Sequence, residues 1–119
     1  MGRLKGDLRD RTYNFGLEIL DLVDQLPNNP KGWQLCKQIV RSGTSIGANI
    51  EEADQALTVP DFVHKCSIAR KEANETLYWL RICRDKRMMK GESLDGTIKT
   101  ADEFVRIIST IMKKCIDAE

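Results

Sequence analysis

Apolar and small residues recur in this chain at alternating spacings of four and three, through four segments that are each long enough for a helix. A repeat of 3.5 residues keeps one face of a helix against its neighbours, so it marks the seam of helices packed side by side. The sequence therefore predicts an all-α fold. The seam positions are Leu4, Leu8, Thr12, Phe15, Ile19, Leu22 and Leu26; Leu35, Ile39, Ser42, Ile46, Asn49, Ala53 and Ala56; Phe62, Cys66, Ala69, Ala73, Thr76, Leu80 and Cys83; and Leu94, Ile98, Ala101, Val105, Ile108, Met112 and Cys115.

Proline and glycine separate the four segments, at Pro27 and Pro30, at Pro60 and at Gly91. Such residues end helices or stand at their first turn, so they indicate three breaks. We predict helices at about 3–26, 30–57, 60–90 and 93–117, in a single domain covering residues 1–119. Short connections between long helices predict an antiparallel up-down-up-down four-helix bundle.

Residues next to the breaks predict how the helices begin and end. Asn29 and Thr58 each precede a proline and are predicted N-caps, and Ser93 is a predicted N-cap for the fourth helix. Gly91 is predicted to stop the third helix, because glycine readily takes the left-handed conformation found there.

The second segment, RSGTSIGANIEEA, places small and polar residues where a seam is normally apolar. Gly43 and Gly47 lie beside the seam, so another backbone could approach closely there. Asn49 lies on the seam and is expected to bond another helix or another subunit, because a buried unpaired amide costs about 1–3 kcal/mol. We predict a structural polar network, with a ligand or catalytic role as the alternative; its members are Arg41, Ser42, Ser45, Asn49 and Glu52.

The residue combinations of known enzyme and metal sites are missing from the sequence. There is one histidine, His64, and the four cysteines contain no Cys-x-x-Cys pair. No Glu-x-x-His pair or P-loop is present. We therefore expect no metal, no cofactor and no enzymatic activity. The longest uncharged stretch, Ser42 to Ile50, is far too short for a membrane span, so we expect a cytoplasmic protein without membrane contact.

Basic residues concentrate in the third segment, although the whole chain has a net charge of only +1. Residues 60–91 contain eight lysines and arginines against four acidic residues. This surface is a candidate for binding nucleic-acid phosphates. The alternative is a solvated face with cations suited to a helix C-terminus. The candidate residues are Arg70, Lys71, Arg81 and Arg84 on one flank, and Lys86, Arg87 and Lys90 at the helix end.

Additional apolar residues lie beside the seams of the third and fourth segments. A four-helix bundle needs one apolar face per helix, so further apolar residues often mark an interface. We predict an oligomer interface here, with a broader intramolecular core as the alternative. Its residues are Ile68, Trp79 and Ile82 in the third segment and Phe104, Ile107 and Ile111 in the fourth.

The chain resembles the bacterial four helix bundle protein family at Arg41-Ser42, Ser45-Ile46, Ala48 to Ile50 and Glu52, and again at Asp61-Phe62, Ile68-Ala69 and Lys71 to Leu80. Its members are also called 23S ribosomal RNA intervening-sequence proteins. The resemblance extends over essentially the whole chain. Glu51 and Ala53 depart from it, since many relatives have alanine and glycine there.

This resemblance implies four antiparallel helices that assemble as a homopentameric ring. One branch of the family is similar to the accessory variability protein of diversity-generating retroelements, which is basic, binds nucleic acid and contacts a reverse transcriptase. The expected function is therefore a non-enzymatic, oligomeric, nucleic-acid-associated accessory protein, with RNA or DNA and a reverse-transcriptase-type protein as partners. The alternative is a protein-interaction scaffold that binds no nucleic acid.

Overall fold

The computed structural model describes residues 2–118 as four long helices packed together, with no strand in that range. The helices are α1 (Leu8–Leu22), α2 (Pro30–Asp54), α3 (Val59–Asp85) and α4 (Glu92–Ala118), and a short 3-10 helix, Val23–Gln25, follows α1. Helix α2 packs against α1 and α3, while α4 packs against α3 and α1. Helices α1 and α3 do not contact each other and so occupy opposite corners of a molecule measuring 48 × 19 × 19 Å. The predicted all-α fold is confirmed.

Two of the predicted N-caps are confirmed. The Asn29 side chain accepts a hydrogen bond from the Gly32 backbone N–H at 2.9 Å, and Thr58 Oγ1 accepts one from Asp61 at 3.2 Å. Each bond satisfies a backbone donor that has no partner within its helix. These caps fix the first residues of α2 and α3.

Helix α1 begins at Leu8, five residues later than predicted. Residues 2–7 instead run along the end of α2, where Arg3 N–H donates to the Asp54 carbonyl at 3.0 Å and Arg3 Nε donates to the Ala56 carbonyl at 2.6 Å. Gly6 has a φ of +83°, which a right-handed helix cannot contain. The segment thus supplies donors to carbonyls at the end of α2 that lack helical partners.

Helix α3 ends at Asp85, so the prediction that it extends to residue 90 is wrong. Arg87 has a φ of +56°, its N–H donates to the Arg84 carbonyl at 3.0 Å, and Met88 N–H donates to the Cys83 carbonyl at 2.8 Å. These two bonds form a Schellman motif with arginine in the left-handed position that glycine usually takes. Gly91, the predicted stop, has a φ of +98° and directly precedes α4, which begins one residue before the predicted cap Ser93.

The core follows the predicted seams closely. All seven seam residues predicted for α3 are buried, as are Leu8, Thr12, Phe15, Ile19 and Leu22 of α1. At the centre, the Phe15 and Phe104 rings meet edge to face with centroids 5.3 Å apart. Phe104 is fully buried within one chain, so its assignment to an oligomer interface is wrong.

The two glycines of RSGTSIGANIEEA permit the predicted close approach, and the helix that comes close is α1. A methyl group built on Gly43 would lie 2.8 Å from Ile19 Cγ1, and one built on Gly47 would lie 3.1 Å from the Thr12 carbonyl oxygen. Both distances are shorter than ordinary van der Waals contacts between these atoms. The glycines therefore set the spacing between α1 and α2.

No helix within residues 2–118 combines the length and the apolar character that crossing a bilayer requires.

Candidate functional site

The predicted polar network crosses from α2 to α3 at three of its members, two of which contact the buried seam of α3 or the carboxylates beside it. The Thr76 hydroxyl lies 2.9 Å from Ser42 Oγ and 2.8 Å from the Glu72 carbonyl oxygen, in the buried seam. Arg41 forms ion pairs with Glu72, at 3.1 Å, and with Glu75. Because Glu72 is buried, Arg41 supplies the positive charge that its carboxylate needs.

The other members form different bonds. Asn49 Nδ2 donates to the Ser45 carbonyl at 2.8 Å, and Ser45 Oγ donates to the Arg41 carbonyl at 2.6 Å, so both bonds stay within α2. The expectation that Asn49 bonds another helix is therefore wrong within this chain. Glu52 reaches Lys65 of α3 at 3.1 Å, in an exposed ion pair. Only Arg41, Ser42 and Glu52 of the predicted network link two helices.

A buried carboxylate at the end of α2 was not predicted from the sequence. Asp54 is 1% exposed, accepts a hydrogen bond from Leu4 N–H at 2.7 Å and pairs with Arg9 at 3.2 Å. The hydrogen bond from Arg9 to Glu51 raises the pKa of Arg9, and the negative charges of Glu51 and Asp54 act in the same direction. Asp54 lies next to seam residue Ala53, but the sequence pattern does not reveal the chain segment that covers it.

The predicted basic residues form a row along α3 and a cluster beyond its end. Lys71, Arg81 and Arg84 are exposed, as are all three cluster residues, Lys86, Arg87 and Lys90. Arg84 pairs with Asp85 at 3.0 Å, whereas the other five form no ion pair with a carboxylate of residues 2–118. Arg70 is half-buried, and its guanidinium lies 3.3 Å from Ser109 Oγ of α4.

A polar groove between α3 and α4 accompanies this row, lined by Ser67, Arg70, Lys71, Asn74, Val105 and Ser109. Tyr78 lies one turn beyond Asn74 on the same outer side of α3 and is 56% exposed, with its ring edge-on to Trp79. It was not among the predicted site residues. The available signal was an aromatic residue placed three residues before Arg81 and seven after Lys71.

The remaining predicted interface residues are only half-buried: Ile68, Trp79, Ile82, Ile107 and Ile111. Trp79, Ile107 and Ile111 pack against the core cluster of the same chain. Trp79 Nε1 is buried and has no hydrogen-bond acceptor among the residues that the structure describes. Buried donors in a protein core normally have an acceptor. The side of α3 that carries Trp79 differs from an ordinary core face in this respect.

The most exposed apolar row lies on α1, where no interface was predicted. Tyr13 is 65% exposed, and Leu17 and Leu20 are each 47% exposed. They border a groove between α1 and α2 whose floor includes Gly16 and Gly47. The signal in the sequence was a second set of apolar residues at spacings of four and three, beside the α1 seam.

The four cysteines lie at buried or half-buried positions in the described part of the chain. All four are free thiols, and no three His, Cys, Asp or Glu side chains of residues 2–118 come together as metal ligands. Burial raises the pKa of both Cys66 and Cys83 to about 11, with a smaller contribution from Cys115 at Cys66. Their thiols stay protonated at neutral pH.

The sequence of the chain matches the family described as 23S rRNA-intervening sequence protein over residues 6–110. The chain belongs to this family. A crystal structure described as a protein of unknown function from the S23 ribosomal protein family of Bacteroides thetaiotaomicron is similar to this intervening-sequence protein. The two are 40% identical with a TM-score of 0.81, over 88% of this chain and 97% of the other. No curated protein matches the sequence of this chain.

Proposed function

We propose that this 23S rRNA-intervening sequence protein is a non-enzymatic, oligomeric, cytoplasmic accessory protein that binds nucleic acid. The observation that carries the proposal is the basic row of α3, with a polar groove on one side and an exposed aromatic ring within it. Lys71 and Arg81 are free to contact phosphates because they form no ion pair with a carboxylate of residues 2–118. Tyr78, between them, offers a ring for base stacking.

RNA is the first ligand to test, since the family takes its name from intervening sequences in 23S rRNA. Phosphate contacts carry no base information, so we expect binding that tolerates unrelated sequences. The cluster of Lys86, Arg87 and Lys90 extends the basic surface to the end of the bundle. A reverse-transcriptase-type protein partner belongs to the proposal through the family resemblance alone.

The up-down-up-down order and the homopentameric ring are parts of this proposal. The up-down order is supported by two contacts that show α1 and α2 to be antiparallel. Thr12, early in α1, lies against Gly47, late in α2, whereas Ile19, later in α1, lies against Gly43, earlier in α2. Self-association is supported by the exposed apolar row on α1 and by the half-buried apolar residues of α3. Five copies follow from the family resemblance.

The absence of catalysis is likewise proposed. Two observations support it. His64 is exposed. Burial keeps the thiols of Cys66 and Cys83 protonated, so neither thiol is an activated nucleophile.

Fluorescence anisotropy with a labelled single-stranded RNA tests the proposal. The test variant replaces Arg70, Arg81 and Arg84 with glutamine, and the control replaces Lys31, Lys99 and Lys113, which lie elsewhere on the surface. Each lost phosphate contact removes about a factor of five at 0.1 M salt, so the test variant should bind about 100-fold more weakly. The control should bind like the unaltered protein.

The protein-interaction scaffold remains the second candidate, and the exposed row Tyr13, Leu17 and Leu20 favours it. If the unaltered protein shows no affinity for RNA or DNA even at low salt, the nucleic-acid proposal fails and the scaffold is favoured. Equal loss of affinity in the test and control variants would place the binding surface elsewhere.

A further inference from the structure

Two apolar grooves meet at the end of the bundle where α3 begins and α4 ends. Each has a volume of about 420 Å³, and Val59 and Cys115 line both, so together they form one continuous depression, the end groove. Clefts of this volume are typical of small-molecule sites. The end groove is separate from the polar groove beside Arg70, since the two share no lining residue.

The floor of the end groove is apolar. Leu4 of the N-terminal segment, Phe62 of α3 and Ile111 of α4 line one part of it, and Val63 of α3 and Ile116 of α4 line the other. Ile116 is 56% exposed, so this apolar surface is open to water. A ligand with an alkyl chain would remove it from water, which is favourable.

The rim of the end groove carries three cations and no carboxylate of residues 2–118. Arg3, Lys5 and Lys114 line it and are exposed, and none of them forms an ion pair with a carboxylate in that range. A positively charged rim raises the local concentration of anions. Rim and floor together match a ligand that is both anionic and apolar.

Arg3 is held in place within the folded chain. Its Nε donates to the Ala56 carbonyl at 2.6 Å and its Nη2 donates to the Leu57 carbonyl at 2.9 Å, which leaves Nη1 without an acceptor among residues 2–118. The adjacent Leu4 N–H donates to Asp54 Oδ1 at 2.7 Å. This wall of the groove is therefore already ordered, and a preorganised site loses little conformational entropy when a ligand binds.

We propose that the end groove binds a small anionic amphiphile, an alkyl chain with a carboxylate head. The chain covers the apolar floor, and the head contacts the cations of the rim. A nucleic-acid phosphate would satisfy the rim but leave the floor open to water, whereas an uncharged apolar ligand would leave the three cations without a counterion. This ligand goes beyond the proposed function, and its binding requires neither RNA nor self-association.

Isothermal titration calorimetry with octanoate tests the proposal, with octanol as the uncharged analogue and octylammonium as the cationic one. Octanoate should bind about 30-fold more tightly than octanol, because each of three exposed charge pairs contributes about a factor of three. Octylammonium should not bind measurably. Hexanoate should bind about 15-fold more weakly than octanoate, because each buried methylene contributes about a factor of four.

Alkylation of Cys115 locates the bound ligand. Cys115 is half-buried in the floor shared by both parts of the groove, so octanoate should slow its reaction with iodoacetamide. Cys36 is half-buried on α2 and does not line the end groove, so its rate is the internal reference and should not change. Mass spectrometry of the two peptides measures both rates in one sample.

A double variant tests the rim at exposed positions, where folding is preserved. Lys5→Gln combined with Lys114→Gln should weaken octanoate binding about 10-fold, again at about a factor of three for each charge pair. Lys31→Gln combined with Lys99→Gln removes the same charge from exposed positions outside the groove and should bind octanoate like the unaltered protein. Circular dichroism checks that both variants are folded.

Several results would overturn the proposal: octanol or octylammonium binding as tightly as octanoate, Cys115 alkylation that octanoate leaves unchanged, or an equal response of the two double variants. The affinity of the Lys5 and Lys114 variant for RNA should match that of the unaltered protein. If it falls, the end groove belongs to the nucleic-acid surface and the proposal of a separate site is wrong. Octanoate binding by a protein without RNA affinity would overturn the proposed function alone.

Discussion

Replacing Gly47 with alanine should not bring the stabilisation that alanine normally gives a helix interior. Gly47 lies inside α2, where the added methyl group would meet the Thr12 carbonyl oxygen at 3.1 Å and its carbon at 3.2 Å. Both atoms belong to the backbone of α1, so the contact can be relieved only by moving a whole helix. Gly96 in α4 provides the matched control, because no atom lies within 4 Å of a methyl group built there.

The expected magnitudes come from two opposing effects. Glycine to alanine in a helix interior stabilises by about 1 kcal/mol, and this gain is common to both positions. Overpacking a close contact costs about 1–3 kcal/mol, and this cost applies only to Gly47→Ala. Gly96→Ala should therefore raise the free energy of unfolding by about 1 kcal/mol. The free energy of unfolding of the Gly47→Ala variant should be about 1–3 kcal/mol lower than that of the Gly96→Ala variant.

Urea unfolding followed by circular dichroism at 222 nm measures both variants. Protein concentration must be held constant, because self-association would make apparent stability depend on it. Equal stabilisation of the two variants would refute the reasoning, since it would mean that α1 does not approach α2 closely at Gly47.

Arg87→Gly should stabilise by about 1 kcal/mol in urea unfolding, because a non-glycine residue in the left-handed conformation is strained; Arg87→Ala should give no such gain. Asn29→Ala should lower the free energy of unfolding by about 1 kcal/mol through loss of the α2 cap, and an unchanged urea midpoint would contradict this. In the native protein Cys66 and Cys83 should resist a thiol reagent at pH 8 and react after unfolding. Because their pKa is raised from 9.0 to about 11, unfolded thiols ionise first, so stability should fall as pH rises from 9 to 11.

The sequence was sufficient to predict the helices and most of the core, because both depend on apolar spacing. The caps at Asn29 and Thr58 were predictable because each side chain forms a hydrogen bond within the first turn of its own helix. The end of α3 was not, since Arg87 takes a conformation that its residue type disfavours, stabilised by two backbone bonds.

The candidate surfaces were less predictable, because they depend on which flank of each helix is covered. Phe104 was assigned to an interface because it lies beside the α4 seam, but contact with Phe15 makes it core. Asp54 was missed because the residues that bury its carboxylate, Leu4 and Arg9, lie far away in sequence. Tyr13 was not among the predicted site residues, because the groove beside it is formed by two helices and does not follow from the pattern of α1 alone.

The salt dependence of RNA binding tests the central claim most directly. The slope of log affinity against log salt counts the phosphates that the protein contacts, at about 0.7 per contact for single strands. Replacing Arg70, Arg81 and Arg84 with glutamine should make the slope shallower by about 2, while the protein stays folded and keeps its oligomeric mass. An unchanged slope would contradict the claim that the basic row of α3 binds nucleic acid.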